Sequence, residues 1–234
     1  MNSIDILLKL LFAHLIADFI FQTKTVVEKK QQNSQLYHIV HSLIHGTLTY
    51  IVLWDIGLWY VPLCITISHY CIDFWKSKRP SFITTFIIDQ GFHFLVIVIL
   101  WLFITNQFGV FYHVVSDVLN HPKFWIYLIG FLIITRPTSI LLALITSEWR
   151  KTLEIESLKN AGQWIGYLER ILILIFICIN SFEAIGFLLA AKSIFRFGEL
   201  KDAKEIKTTE YIMIGTLTSF AIAIVVGLII NYVK

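Results

Sequence analysis

The stretch AHLIADFIFQ, residues 13–22, decides how the chain is read. It sets His14 and Asp18 four residues apart inside an apolar run that begins near residue 4. Titratable side chains within a run of that kind are costly and mark functional positions by default. Three further runs repeat the pattern. HIVHSLIHG (38–46) carries His41 and His45, SHYCIDFW (68–75) carries His69 and Asp73, and DQGFH (89–93) carries Asp89 and His93. A spacing of four puts both members of a pair on one helix face. Two donors from one turn can then hold a single ion, which is the mechanical basis of H-x-x-x-H metal helices.

Working outward, a helix needs about 20 apolar residues to cross a bilayer. That ruler predicts spans near 4–22, 37–55, 58–76, 83–105, 122–146, 166–190 and 210–232. The whole chain agrees: 57% of its 234 residues are hydrophobic and 15% charged, with a mean hydropathy of +0.74. Soluble domains carry about a quarter charged residues. The expected fold is all-α, a polytopic transmembrane bundle of about six to seven spans whose first four helices form a metal-binding core. Three regions are expected: that core over 1–105; an extramembrane loop, fifth span and interfacial amphipathic helix (147–165) over 106–165; and C-terminal spans with a basic connecting segment over 166–234. No cleavable secretory leader is expected, because Met1 to Asp5 lacks a basic region. A helix break is expected at Arg136-Pro137.

Loop charge sets the orientation. Segments 23–36 (TKTVVEKKQQNSQL) and 76–81 (KSKRPS) are basic, whereas the 55–58 turn (DIGL) has no Lys or Arg. The positive-inside rule places the two basic segments in the cytoplasm and the N-terminus outside. His14/Asp18 and His69/Asp73 then fall late in their spans, and His41/His45 and Asp89/His93 fall early. At 1.5 Å rise per residue, all four pairs lie roughly 5–15 Å from the same, cytoplasmic, face. The basic segments 147–165 and 191–209 do not fit a simple alternation of seven spans. Either a span is wrongly assigned, at Arg136-Pro137 where a helix should break, or the span at 166–190 does not fully cross.

Five imidazoles and three carboxylates without a thiolate suit a divalent transition metal, zinc first, with manganese and iron also compatible. Eight candidate ligands exceed what one zinc takes from a protein, so two ions about 3.5–4 Å apart are expected. Gln22 continues the first face and His38 shares the second. Both are expected to contact the ligands or the substrate. Cys64, Cys71 and Cys178 contain no CxxC and predict no disulfide framework. A net charge of +3 argues for no nucleic-acid partner. Lys192 and Arg196, also four apart, are candidates for a lipid head group at the interface. His113 and His121 fall in the expected outer loop and read as surface residues.

AHLIADFIFQT, HSLIHG, HYCIDFWK and IDQGFHFL together resemble the bacterial membrane family known as domain of unknown function 3307, over about residues 5–105. WIGYLERILIL, FEAIGFLLAAKSIFRFGEL and EYIMIGTLTSF resemble the C-terminal region of its longer members. More loosely, the paired motifs are similar to the YdjM-like membrane-bound metal-dependent hydrolases, and through them to zinc-dependent phospholipase C and P1-type nucleases. The resemblance implies a multi-pass protein of the bacterial cytoplasmic (inner) membrane. The reaction expected is hydrolysis of a membrane lipid or lipid-linked substrate, a phosphoester lipid or isoprenoid phosphate, with Asp18 or Asp89 accepting a proton. Metal-ion or proton transport and membrane di-iron oxidation are the competing readings.

Overall fold

The computed structural model describes residues 2–32, 34–151, 153, 160–197 and 203–233, without the side chains of 195–197 and 203–205. Among them every regular element is helical. The chain divides into two compact units, residues 1–114 and 115–234.

The first unit begins with α1 (Ser3–Ile16), which runs on through a π-helical turn at Ala17–Phe21. A short helix α2 (Lys24–Gln31) follows, then α3 (Gln35–Leu53), α4 (Tyr60–Ser77) and α5 (Ile83–Thr105). The ends of α3 and α5 turn on left-handed residues, Trp54 and Asn106. At one end of this bundle Ile6, Leu10, Leu53, Val61, Ile65 and Ile97 form an apolar core, closed by Trp101 Nε1 donating to the Ser3 carbonyl at 2.7 Å. The other end is polar: its buried side chains are His14, Asp18, Lys30, His38, His41, Ser42, His45, His69, Asp73, Asp89 and His93. Outside, the same helices expose Leu8, Phe12, Leu15, Phe19, Leu43, Ile67 and Phe94. Polar residues inside and large apolar residues outside invert the pattern of a water-soluble domain, whose large contiguous exposed apolar surfaces are rare.

α3 and α4 lie close because Gly46 has no side chain. A Cβ there would stand 3.0 Å from the Pro62 carbonyl oxygen and against the Thr66 hydroxyl. That close approach brings His45 onto His69, with ring centroids 3.5 Å apart.

The division between units falls within α6 (Phe108–Asn120), so the segment expected as a loop is a helix. The second unit continues with α7 (Pro122–Ile133) and α8 (Arg136–Ile145). The break between them lies where Pro137 requires it. Pro137 has no N–H for the Ile133 carbonyl, and the Thr138 hydroxyl donates to that oxygen instead, at 2.7 Å. Of the segment 147–165, expected as an amphipathic helix, the described residues form the short helix α9 (Ser147–Lys151) and the start of α10 (Ala161–Cys178); residues 152 and 154–159 lie outside the described part.

The expected span at 166–190 is corrected to two helices. α10 stops at Cys178, Asn180 takes a left-handed conformation with φ of 56°, and α11 (Phe182–Phe197) starts afresh. Asparagine tolerates that conformation better than most residues. α12 (Ala203–Val233) packs along α10 through Ile173, Leu174, Ile177, Phe220 and Ala223. Gly227 admits the contact, since a Cβ there would meet Ile177 Cδ1 at 2.5 Å.

Among the described residues, five helical stretches are long and apolar enough to cross a membrane: Gln35–Leu53, Ile83–Thr105, Pro122–Ile145, Ala161–Cys178 and Ile206–Val233.

Candidate metal centre

Asp18 organises the polar end of the first unit. It sits in the π-helical turn that closes α1, a widened turn often found at functional sites. His41 Nε2 and His45 Nε2 each lie 3.1 Å from its Oδ1, and His69 Nε2 lies 3.7 Å from the same oxygen. His14 Nε2 is 3.7 Å from Oδ2. Three helices thus aim imidazole nitrogens at one carboxylate.

Among the described residues, two groups of donors have atoms mutually within 4.8 Å and could hold an ion: Asp18, His41, His45 and His69; and His14, His69 and His93. His69 belongs to both, stacked between His45 at 3.5 Å and His93 at 4.2 Å by ring centroids. Around a tetrahedral zinc with bonds of ~2.0–2.1 Å, neighbouring donors stand roughly 3.3–3.4 Å apart. The observed 3.1–3.7 Å separations about Asp18 Oδ1 match that edge length. His69 Nε2 and Asp89 Oδ1 are buried without a hydrogen-bond partner. Buried polar atoms are ordinarily satisfied, so the unpartnered Nε2 of His69, the donor shared by both groups, is compatible with an ion as its missing partner.

Asp73 and Asp89 are placed differently from Asp18. Asp73 Oδ2 lies 2.6 Å from Lys30 Nζ, in an ion pair directed poorly for a hydrogen bond, and 3.2 Å from His38 Nδ1. Asp89 Oδ2 accepts from Lys76 Nζ at 2.6 Å and Gln90 Nε2 at 3.1 Å, and Oδ1 lies 3.5 Å from His93 Nε2. Burial pushes the Lys30 ammonium down from its ordinary value, while the neighbouring Asp73 carboxylate acts in the opposite sense.

Among the remaining candidates, the Gln22 amide lies 3.3 Å from His41 Nε2 and His38 reaches Asp73. Gln90 has no counterpart among the residues singled out from sequence. Its Nε2 donates to Asp18 Oδ2 at 3.0 Å as well as to Asp89, so one amide braces two carboxylates. Lys30 and Lys76 also escaped sequence reasoning, because basic residues between spans read as markers of topology.

Beside the cluster lies a cavity of about 350 Å³, lined by Gln22, Lys30, Asp73, Lys76, Arg79 and Phe86 among others. In the second unit, Lys192 Nζ donates to Glu169 Oε2 at 2.6 Å, and the Arg196 side chain lies outside the described part. His113 and His121 are exposed, and His121 Nδ1 accepts from the Lys123 N–H at the start of α7.

Residues 6–121 match the family described as "Protein of unknown function (DUF3307)". No curated protein and no solved structure matches the chain.

Proposed function

We propose, for a chain that belongs to the DUF3307 family through residues 6–121, that it is a multi-span membrane protein whose first unit is a metal-dependent hydrolase of a phosphate ester carried by a membrane lipid. The observation that carries this reading is the pairing of a buried His/Asp cluster with a cation-lined cavity in one unit. Asp18, His41, His45 and His69 would hold one divalent ion, and His14 and His93 extend the set toward a second. Zinc suits these nitrogen and oxygen donors best.

A bound ion would supply Lewis acidity toward a phosphoryl oxygen and lower the pKa of water. The protein's own groups do the rest. Lys76 and Arg79 line the cavity and attract an anionic head group. Asp89 holds one oxygen, Oδ1, without a hydrogen-bond partner, while Lys76 and Gln90 fix the other. That leaves Oδ1 the carboxylate oxygen placed to take a proton. The exposed Phe86, Phe82 and Ile83 at the cavity offer an apolar path for an acyl or isoprenoid chain.

The test is elemental analysis of detergent-purified protein with hydrolysis of a lipid phosphate monoester in mixed micelles. The wild type is expected to carry stoichiometric metal and to release phosphate. The double variant His41→Ala/His69→Ala should fall to background in both while keeping its helical circular dichroism. Metal-free wild-type protein overturns the centre. Metal bound without hydrolysis, together with metal uptake into proteoliposomes, replaces the hydrolase by a transporter.

A further inference from the structure

We infer that the interior of the second unit is a binding site for a phosphate-bearing anion, seated by Arg136, Arg150 and Arg170 and carried by a lipid. It rests on residues of that unit alone.

A cavity of about 740 Å³ opens inside this unit between α8, α10, α11 and α12. Volumes of roughly 300–1,000 Å³ are typical of small-molecule sites. Four cationic side chains line it: Arg136, Arg150, Arg170 and Lys192. The one carboxylate among the described lining residues is Glu169, and it is taken up by Lys192 at 2.6 Å. No described carboxylate lies within 4.0 Å of any of the three arginines.

Arg170 is the deepest of them, 1% exposed in the middle of α10. Part of its role is structural. Its Nε–H donates to the Ile134 carbonyl oxygen, freed by the break between α7 and α8, and its terminal nitrogens donate to Ser219 Oγ at 2.9 Å and Ser139 Oγ at 2.7 Å. These hydrogen-bond partners are neutral; the Tyr167 ring lies 5.5 Å away and the neighbouring Glu169, paired with Lys192, acts on the guanidinium only at a distance, so Arg170 has no carboxylate of its own. An isolated buried charge is among the costliest features a protein can carry.

The cost is greater at this depth. Arg136 lies past the midpoint of the apolar stretch Pro122–Ile145, and Arg170 lies near the middle of Ala161–Cys178. Arginines within spans ordinarily pair or face a polar cavity. Here they face one cavity together, with Ser139, Thr146, Gln163, Tyr211 and Thr216 on its walls. Guanidinium forks with hydroxyl donors match a phosphate's oxygens in geometry and sign. A lipid is the favoured carrier because the site opens among apolar helices, where an acyl chain is at home.

The experiment uses the full chain purified in dodecyl maltoside and titrated with phosphatidate or phosphatidylcholine in mixed micelles, with bound lipid counted by native mass spectrometry. One phosphatidate per chain should be retained at concentrations where phosphatidylcholine is not. Arg136→Gln/Arg150→Gln should weaken retention at least tenfold, Arg150→Gln alone severalfold, and Lys123→Gln, outside the cavity, not at all. Both arginines are exposed, so the fold should tolerate their replacement, as circular dichroism will verify. Competition by millimolar inorganic phosphate would identify free phosphate as a second source of the same anion; its failure would assign the site to the lipid ester. Equal retention of both lipids, or retention unchanged in the double variant, overturns the proposal and leaves a water-filled cavity that screens the arginines.

Discussion

The two units handle buried charge in opposite ways. In the first, two of three buried carboxylates have a lysine each, Asp73 with Lys30 and Asp89 with Lys76. The third, Asp18, has no lysine: imidazoles surround it, and the neutral Gln90 amide donates to its Oδ2. In the second unit, the one ion-paired acid among the described residues is Glu169 with Lys192, and Arg170 is left with hydroxyls, carbonyls and the Tyr167 ring. Once the ion pairs are set aside, the first interior retains a carboxylate and the second a guanidinium. The residual sign agrees with the ligand proposed for each interior: a metal cation beside Asp18, an anion beside Arg170. The ion pairs occupy the neighbouring charges and leave those two residues without a paired counter-charge.

That view of the ion pairs gives the largest expected effect. Lys30→Met keeps the length of the side chain but strands the Asp73 carboxylate, which is flanked only by His38 and buried. Breaking a buried pair by removing one partner costs about 3–5 kcal/mol. Denaturant or thermal unfolding of Lys30→Met should show a loss of that size, and Lys30→Met/Asp73→Asn should recover most of it. A loss confined to the double variant would mean that Lys30 is not the counter-charge of Asp73, and the comparison between the units would fail on its first side.

A smaller effect is expected one contact away from the centre. Gln90 Nε2 bridges Asp18 Oδ2 and Asp89 Oδ2, and its Oε1 lies 3.4 Å from His14 Nε2. Groups that orient ligands from outside typically contribute 10–100-fold in metal affinity. Gln90→Ala should therefore weaken zinc binding by about that factor in a chelator competition, with little change in thermal stability. Unchanged affinity would show that Asp18 is held by the imidazoles alone.

Much of the first unit was legible in the sequence because it obeys a single rule. An apolar run of about 20 residues is a helix, and α3, α4 and α5 differ from the expected 37–55, 58–76 and 83–105 by at most two residues at either end. The i,i+4 pairs were visible for the same reason. The break at Asn180 was not legible, because the sequence from Ile171 to Ala191 is apolar almost throughout and carries neither Pro nor, at the break itself, Gly. A left-handed asparagine leaves a weak trace in composition. The lysines were hidden for a different reason: a basic residue beside a span has the same appearance whether it marks orientation or folds back onto a carboxylate. What separates the two is tertiary contact, as between Lys30 of α2 and Asp73 of α4. Arg170 was visible as an ionisable residue in a span, but its partners, the carbonyls of a broken helix and two serines on other helices, carry no charge pattern to detect.

The smallest expected effect tests the second side of the comparison and has the opposite sign to the others. Glu169 and Lys192 are partly buried at the cavity wall and pair at 2.6 Å. Glu169→Gln removes the one described carboxylate of that lining and frees the Lys192 ammonium. Partly exposed pairs contribute about 0–1 kcal/mol to stability, so the variant should unfold at nearly the wild-type midpoint. Its affinity for phosphatidate, however, should rise a few-fold, about 1 kcal/mol at most, because a fourth cation then faces the anion without a competing carboxylate. Metal content should not change, since the residues of the metal centre belong to the first unit. A fall in phosphatidate affinity would instead make Glu169 a residue that positions Lys192 for the ligand. The charge the second interior presents would then be set by the placement of Lys192 as well as by the arginines.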